Sequence, residues 1–154
     1  MLQNSGGGGA IIDEMPKGVS VDDIEKMFYA VGLGSVPSWL KPYSVLSNGE
    51  KMRVDLAYAM LENDFVVFDE FTSVVDRNVA RVASMAIAKA VRNQNKKFIA
   101  VTCHSDVLEW LQPDWVFNTN VMQMDFFHTR AHKSNVKSEN VSAKNGKNLG
   151  VIII

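Results

Sequence analysis

An α/β fold with a partly parallel sheet is what this sequence predicts, on three observations. Two runs, Phe65-Val66-Val67-Phe68 and Lys97-Phe98-Ile99-Ala100-Val101-Thr102, are apolar with almost no alternation, the pattern of parallel strands covered on both faces. Segments of helical period, Val21–Val31, Lys51–Leu61 and Asp76–Asn93, stand before and between them. The two kinds alternate along the chain, the order of an α/β fold.

The elements follow in chain order. Gly6-Gly7-Gly8-Gly9 reads as part of a flexible lead covering residues 1–10. It has no lysine, follows no strand and leads into Ala10-Ile11-Ile12, so it does not read as a phosphate loop. Ser20 with Asp23 three residues on starts a helix whose stripe of Ile24, Met27, Phe28 and Val31 belongs to the core. Pro37, Trp39, Pro42 and Tyr43 make an irregular stretch before Ser47-Asn48-Gly49-Glu50 opens the next helix. From Asp64 the chain enters the sheet. In the helix of Asp76–Asn93 the residues expected to face inward are Val82, Met85, Ala86 and Ala90. Cys103, at the end of the second strand, is expected to be buried, and Ser105–Leu111 is a short helix stopped by Pro113. Trp115-Val116-Phe117 and Val121–Phe127 read as further strands.

The segment 128–154 is of low complexity. Lys133, Lys137, Lys144 and Lys147 are spread among Ser and Asn without aromatic interleaving, which suits a solvated, disordered tail better than a nucleic-acid contact. Nucleic acid as a partner is therefore possible but unsupported. The closing Val151-Ile152-Ile153-Ile154 could add a strand to an exposed edge. His128 and His132 are four apart, but no second cysteine or acidic pair joins them, which argues against zinc.

Composition sets the bounds. With 154 residues, 47% of them hydrophobic, the chain suits one ordinary domain. Residues 1–77 carry 6 basic and 12 acidic side chains and residues 78–154 carry 10 and 5, a modest asymmetry under a net charge of −1. One cysteine excludes an internal disulfide and agrees with a reducing cytoplasm. No apolar run is long enough for a transmembrane segment, and the start lacks a signal-peptide pattern, so a soluble, cytoplasmic chain is expected.

Chemistry concentrates in two stretches. The first strand ends in Asp69-Glu70, two carboxylates delivered to the carboxyl edge of a sheet, where α/β proteins bind ligands. In a magnesium-nucleotide site one such carboxylate holds the metal and the other takes a proton from water. Ser47 to Glu50 places a hydroxyl and free N–H groups at a helix N-terminus, which attracts phosphate. The sequence contains no Gly-x-x-x-x-Gly-Lys-Ser/Thr loop, the usual source of a phosphate cradle and its lysine.

These stretches together resemble the ATP-binding cassette (ABC) ATPases. Leu46-Ser47-Asn48-Gly49-Glu50 is similar to the family's signature motif, Phe65–Glu70 to its Walker B strand, Ser73–Asp76 to its D-loop and His104 to its switch histidine. They come in the family's order, 22 residues from Ser47 to Asp69 and 35 from Asp69 to His104, within a likeness over roughly residues 11–120. Asn48 replaces the usual first signature glycine and Glu50 the usual glutamine; no glutamine loop is identifiable.

The resemblance implies a P-loop NTPase-like fold whose sheet is incomplete here. It implies a helical subdomain at about 19–61 and a sheet part at about 64–127 within a partial domain of 11–127. It further implies ATP and Mg²⁺ as cofactors and a homo- or heterodimer with another cassette. Ser47 and Gly49, flanked by Asn48 and Glu50, would contact the γ-phosphate of ATP held by that partner. Asp69 would bind magnesium, Glu70 polarise water, His104 sense the γ-phosphate and Asp76 link two sites. The function implied is that of an ATPase segment contributing to a composite site. The alternatives are a non-catalytic partner or regulatory subunit, or an inactive fragment lacking its own phosphate loop.

Overall fold

The computed structural model describes residues 8–127 and 150–153. It is mixed α/β: α1 (Val21–Ala30), α2 (Val36–Trp39) and α3 (Asn48–Glu62) precede β1 (Phe65–Phe68), α4 (Arg77–Asn93) and β2 (Lys97–Thr102). After them come α5 (Val107–Leu111), β3 (Trp115–Asn118), β4 (Gln123–Phe126) and β5 (Gly150–Ile153).

Ser20 starts α1 as expected, its hydroxyl accepting from Asp23 N at 3.2 Å and donating to Asp23 Oδ2 at 2.7 Å. The helix stops at Gly32, whose φ of +82° lets Leu33 N reach back to Phe28 O at 2.7 Å. Trp39 closes the same corner. Its ring lies 5.5 Å from that of Phe28, and its buried Nε1 donates to Leu33 O at 2.7 Å. One continuous core joins α1 and α3 to α4 and the covered face of the sheet, through Phe28, Leu56, Met60, Ile87 and Phe98.

The five strands lie in the order β1-β2-β5-β3-β4. β1 and β2 are parallel, Val66 opposite Phe98. β5 runs antiparallel to both β2 and β3, so β1, β2 and β3 share one direction, and β3 and β4 form an antiparallel hairpin. Of the closing apolar residues expected at an edge, Val151, Ile152 and Ile153 lie inside the sheet instead, and Ile154 is outside the described residues. Residues 128–149, with His128, His132 and the tail lysines, lie outside the described residues.

Three expectations are corrected. β1 is not covered on both faces: it is an edge strand, with Phe65 54% and Val67 57% exposed. The packed face takes Val66, Phe98, Ala100 and Val116, and the opposite face leaves Phe65, Val67, Met124 and Phe126 open. On α4, Ala90 is buried as expected, but Val82 and Met85 point outward, and the rest of the buried stripe is Ala80, Ala83, Ser84, Ile87, Ala88 and Val91. Small residues allow α4 to approach its neighbours closely, so size and not hydropathy alone fixes its inner face. Cys103 is exposed, because β2 stops at Thr102 and the chain turns out before α5.

Candidate functional site

β1 carries Asp69 and Glu70 to its carboxyl end, where the chain turns sharply. Glu70 and Thr72 take left-handed backbone conformations, φ +50° and +67°, unfavourable for both and acute for β-branched Thr72. Surrounding bonds hold the turn in place. Glu70 O accepts from Ser73 N at 2.9 Å and from Ser73 Oγ at 2.8 Å, and Asp69 Oδ1 accepts from Glu70 N at 2.9 Å. Phe71 anchors the far side: its ring is fully buried between Phe68 and Phe98, and its N–H donates to Val101 O at 2.8 Å. Thr102 Oγ1 donates to Phe71 O at 2.9 Å and accepts from His104 N at 3.2 Å, which ties the backbone of the expected switch histidine to the turn of the acid pair.

A cleft of about 300 Å³ lies over this turn, between it and the first turns of α3. Of the residues singled out in the sequence it brings together Asn48, Asp69 and Glu70; Ser47, Gly49, Glu50, Asp76 and His104 do not line it. It adds Ser73, the first residue of the D-loop-like stretch, and Lys51, Asp55 and Tyr43, to which the sequence reading gave no role in a site. Their signal was there: Lys51 and Asp55 stand three and seven residues after Asn48, on one helix face with it. Lys51 Nζ sits 5.7 Å from the Tyr43 ring, and Tyr43 donates to Asp55 Oδ2 at 2.8 Å. Burial, with Asp55 beside it, pushes the Tyr43 ionisation upward, so the phenol stays a neutral donor. One cation faces three carboxylates in this cleft, and a bare phosphate is therefore disfavoured there. Asp69, Glu70 and the Ser73 hydroxyl are hard oxygen donors on a solvent-open wall and fit a magnesium ion arriving with its own ligands. Among the described residues no group of three or more His, Cys, Asp or Glu is placed to hold a metal by itself.

At the start of α3 the signature-like residues are bound to one another. Ser47 Oγ accepts from Glu50 N at 3.3 Å and donates to Glu50 Oε2 at 2.8 Å, while Ser47 N donates to the same oxygen at 2.9 Å. This is a reciprocal capping box between Ser47 and Glu50. Ser38 adds a third donor to Glu50 at 2.8 Å. The backbone N–H of Ser47, with the Ser38 and Ser47 hydroxyls, pulls the Glu50 carboxyl down to about 2 from 4.5. A folded-state value below the unfolded one means stability present above about pH 4.5 and lost as pH falls toward about 2. The melting-temperature advantage of the native chain over Glu50→Gln should shrink across that window. Solvent screening holds the contribution to about 1 kcal/mol or less, and an advantage independent of pH would discount the carboxylate's part.

Gly49 is there for contact with α4. A Cβ on it would lie 2.9 Å from Val79 Cγ1, so Gly49→Ala should cost about 1 kcal/mol net, overpacking outweighing the gain in helix propensity. Thermal melts of Gly49→Ala alone and with Val79→Ala test this, since the second change should restore the loss. Asp76, from the D-loop-like stretch, caps α4 by accepting from Asn78 N and Val79 N, both at 3.0 Å. Half-buried Arg53 stands near Glu50 and Asp76, whose charges oppose the lowering of its pKa by burial. Arg77 forms a two-pronged pair with Asp106 and lies 5.1 Å over the Trp110 ring, joining the starts of α4 and α5.

A parallel strand ending in an acid pair, roofed by a helix N-terminus, is the arrangement of α/β proteins that bind ligands at a sheet's carboxyl edge. No family model matches the chain. It is 34% identical over 71 residues to the probable ATP-dependent transporter SufC of Escherichia coli (strain K12), a match covering 46% of this chain and 28% of that protein. The chain thus spans less than a third of that relative's length. The similarity supports an ABC-type ATPase domain. No described helix is long and apolar enough to cross a membrane.

Proposed function

We propose that this chain is the signature and Walker B part of an ABC-type ATPase with a P-loop NTPase-like fold, acting in ATP binding and hydrolysis once a phosphate loop is supplied. The observation that carries this reading is the single cleft where Asn48 and Lys51 of α3 meet Asp69 and Glu70 at the end of β1. Magnesium, when bound with nucleotide, would neutralise phosphate charge. Asp69 would hold it, Glu70 would take the proton of the attacking water, and His104 would report on the γ-phosphate from the end of β2. Ser47, Gly49 and their neighbours would serve ATP held by a partner cassette in a homo- or heterodimer. Domain limits of 11–127, with a helical subdomain at 19–61, go with this proposal.

A second reading, a non-catalytic partner, draws support from two features. The Ser47 hydroxyl is already given to Glu50, and the cleft is acidic. The two readings part in one experiment. Alone, the chain should bind Mg-ATP more weakly than micromolar by calorimetric titration, because the cleft holds one lysine and no backbone cradle. Joined to a polypeptide bearing the phosphate loop, it should hydrolyse ATP, and Ser47→Ala and His104→Ala should each lower that turnover. Tight binding by the chain alone defeats the claim that the loop is needed. Absence of turnover in the joined protein leaves the non-catalytic reading.

A further inference from the structure

The sheet holds one strand that runs against its parallel members. β1, β2 and β3 share a direction, and β2 passes to β3 through α5 but does not pair with it. Between them is a slot one strand wide, and β5 fills it, reached across the 22 residues 128–149. Its four residues take up the inner edges of both neighbours: Ile153 lies opposite Ile99 and Trp115, and Gly150 opposite Thr102 and Asn118.

Gly150 thus stands at the carboxyl ends of β2 and β3, the edge that bears the acid pair and His104. A strand entering the slot parallel to β2 would put its own carboxyl end there, and a phosphate loop follows the carboxyl end of a strand. Such a strand would regain the backbone bonds that β5 gives up. We propose that β5 is a displaceable plug: it occupies the slot between β2 and β3 until a parallel strand carrying a phosphate-binding loop, from outside these 154 residues, takes its place. This rests on the reading above that such a loop completes the site. The relative's greater length, of which the match covers 28%, is consistent with a sheet that takes further strands.

The probe is a synthetic strand–loop–helix peptide of about 30 residues carrying Gly-x-x-x-x-Gly-Lys-Ser. It is titrated against the full chain in a Cys103→Ser background, and against the same chain carrying Ile99→Cys and Ile153→Cys. These two are register partners at a spacing that a disulfide can span. Oxidation should weaken probe binding at least about tenfold, and reduction should restore it. Ile152→Pro, which removes a ladder donor from β5, should tighten binding. Hydrogen exchange on the complex should show residues 150–153 losing protection while 99–102 keep it. The proposal is overturned if the unlocked chain does not bind, if the locked chain binds equally well, or if protection rises along Phe65–Phe68, which would place the probe on the free edge of β1. Displacement of β5 without ATP turnover would sink the ATPase reading and leave the plug standing.

Discussion

In the protein completed by a phosphate loop, Glu70→Gln is expected to lower ATP turnover by about 10²–10⁴-fold while nucleotide binding survives or tightens. Glutamine keeps the length of the side chain and removes its basicity and charge. The turn depends little on that charge: Ser73 Oγ donates to Glu70 Oε2 at 3.3 Å, a bond that a glutamine oxygen can also accept, and the other bonds that shape it run from Ser73 to the Glu70 carbonyl and from the Glu70 N–H to Asp69. A fall in turnover with an unchanged melting temperature therefore reports on chemistry. If turnover is unaffected while Ser47→Ala and His104→Ala abolish it, Glu70 is a structural residue of the turn that accepts from Ser73, and the base lies elsewhere.

Phe71→Ala should be the most damaging single change to the fold, at about 3–5 kcal/mol. The ring is wholly buried, with centroids 6.1 Å from Phe68 and 5.7 Å from Phe98, both edge-on. Its removal opens a void directly beneath the acid pair. Against a total of about 5–15 kcal/mol, that loss should lower the melting temperature by roughly 6–20 °C in a chain of this size. Phe65→Ala, on the open face of β1, is the control and should change stability by no more than about 0.5 kcal/mol. Equal losses from the two changes would mean that the open face is covered in solution.

Much of this was legible because it is local. Ser20 and Ser47 announce helix starts, and the runs at 65–68 and 97–102 become strands at those residues. What escaped needs information from elsewhere in the chain. Val82 and Met85 looked like core because they are large and apolar, yet the close approach of α4 selects alanines. β1 looked buried because a parallel strand usually has helices on both sides, and here the described helices cover one face. The spacing from Ser47 to Glu50 suits both a capping box and a phosphate-facing helix start, and the folded geometry has the internal bond. Lys51 and Asp55 share a helix face with Asn48, but that this face meets Asp69 is set by tertiary packing. The seat of β5 depends on pairing with residues 32 to 54 positions away, which no periodicity encodes.

That separation has a consequence during synthesis. Ile99 leaves the ribosome well before Ile153, its partner in the sheet. At about 5–20 residues per second the interval is roughly 3–10 s, whereas helices and hairpins form within about microseconds. On the nascent chain β1 and β2 are therefore made seconds before β5. The order of manufacture gives any strand already present the first opportunity to enter, ahead of the chain's own.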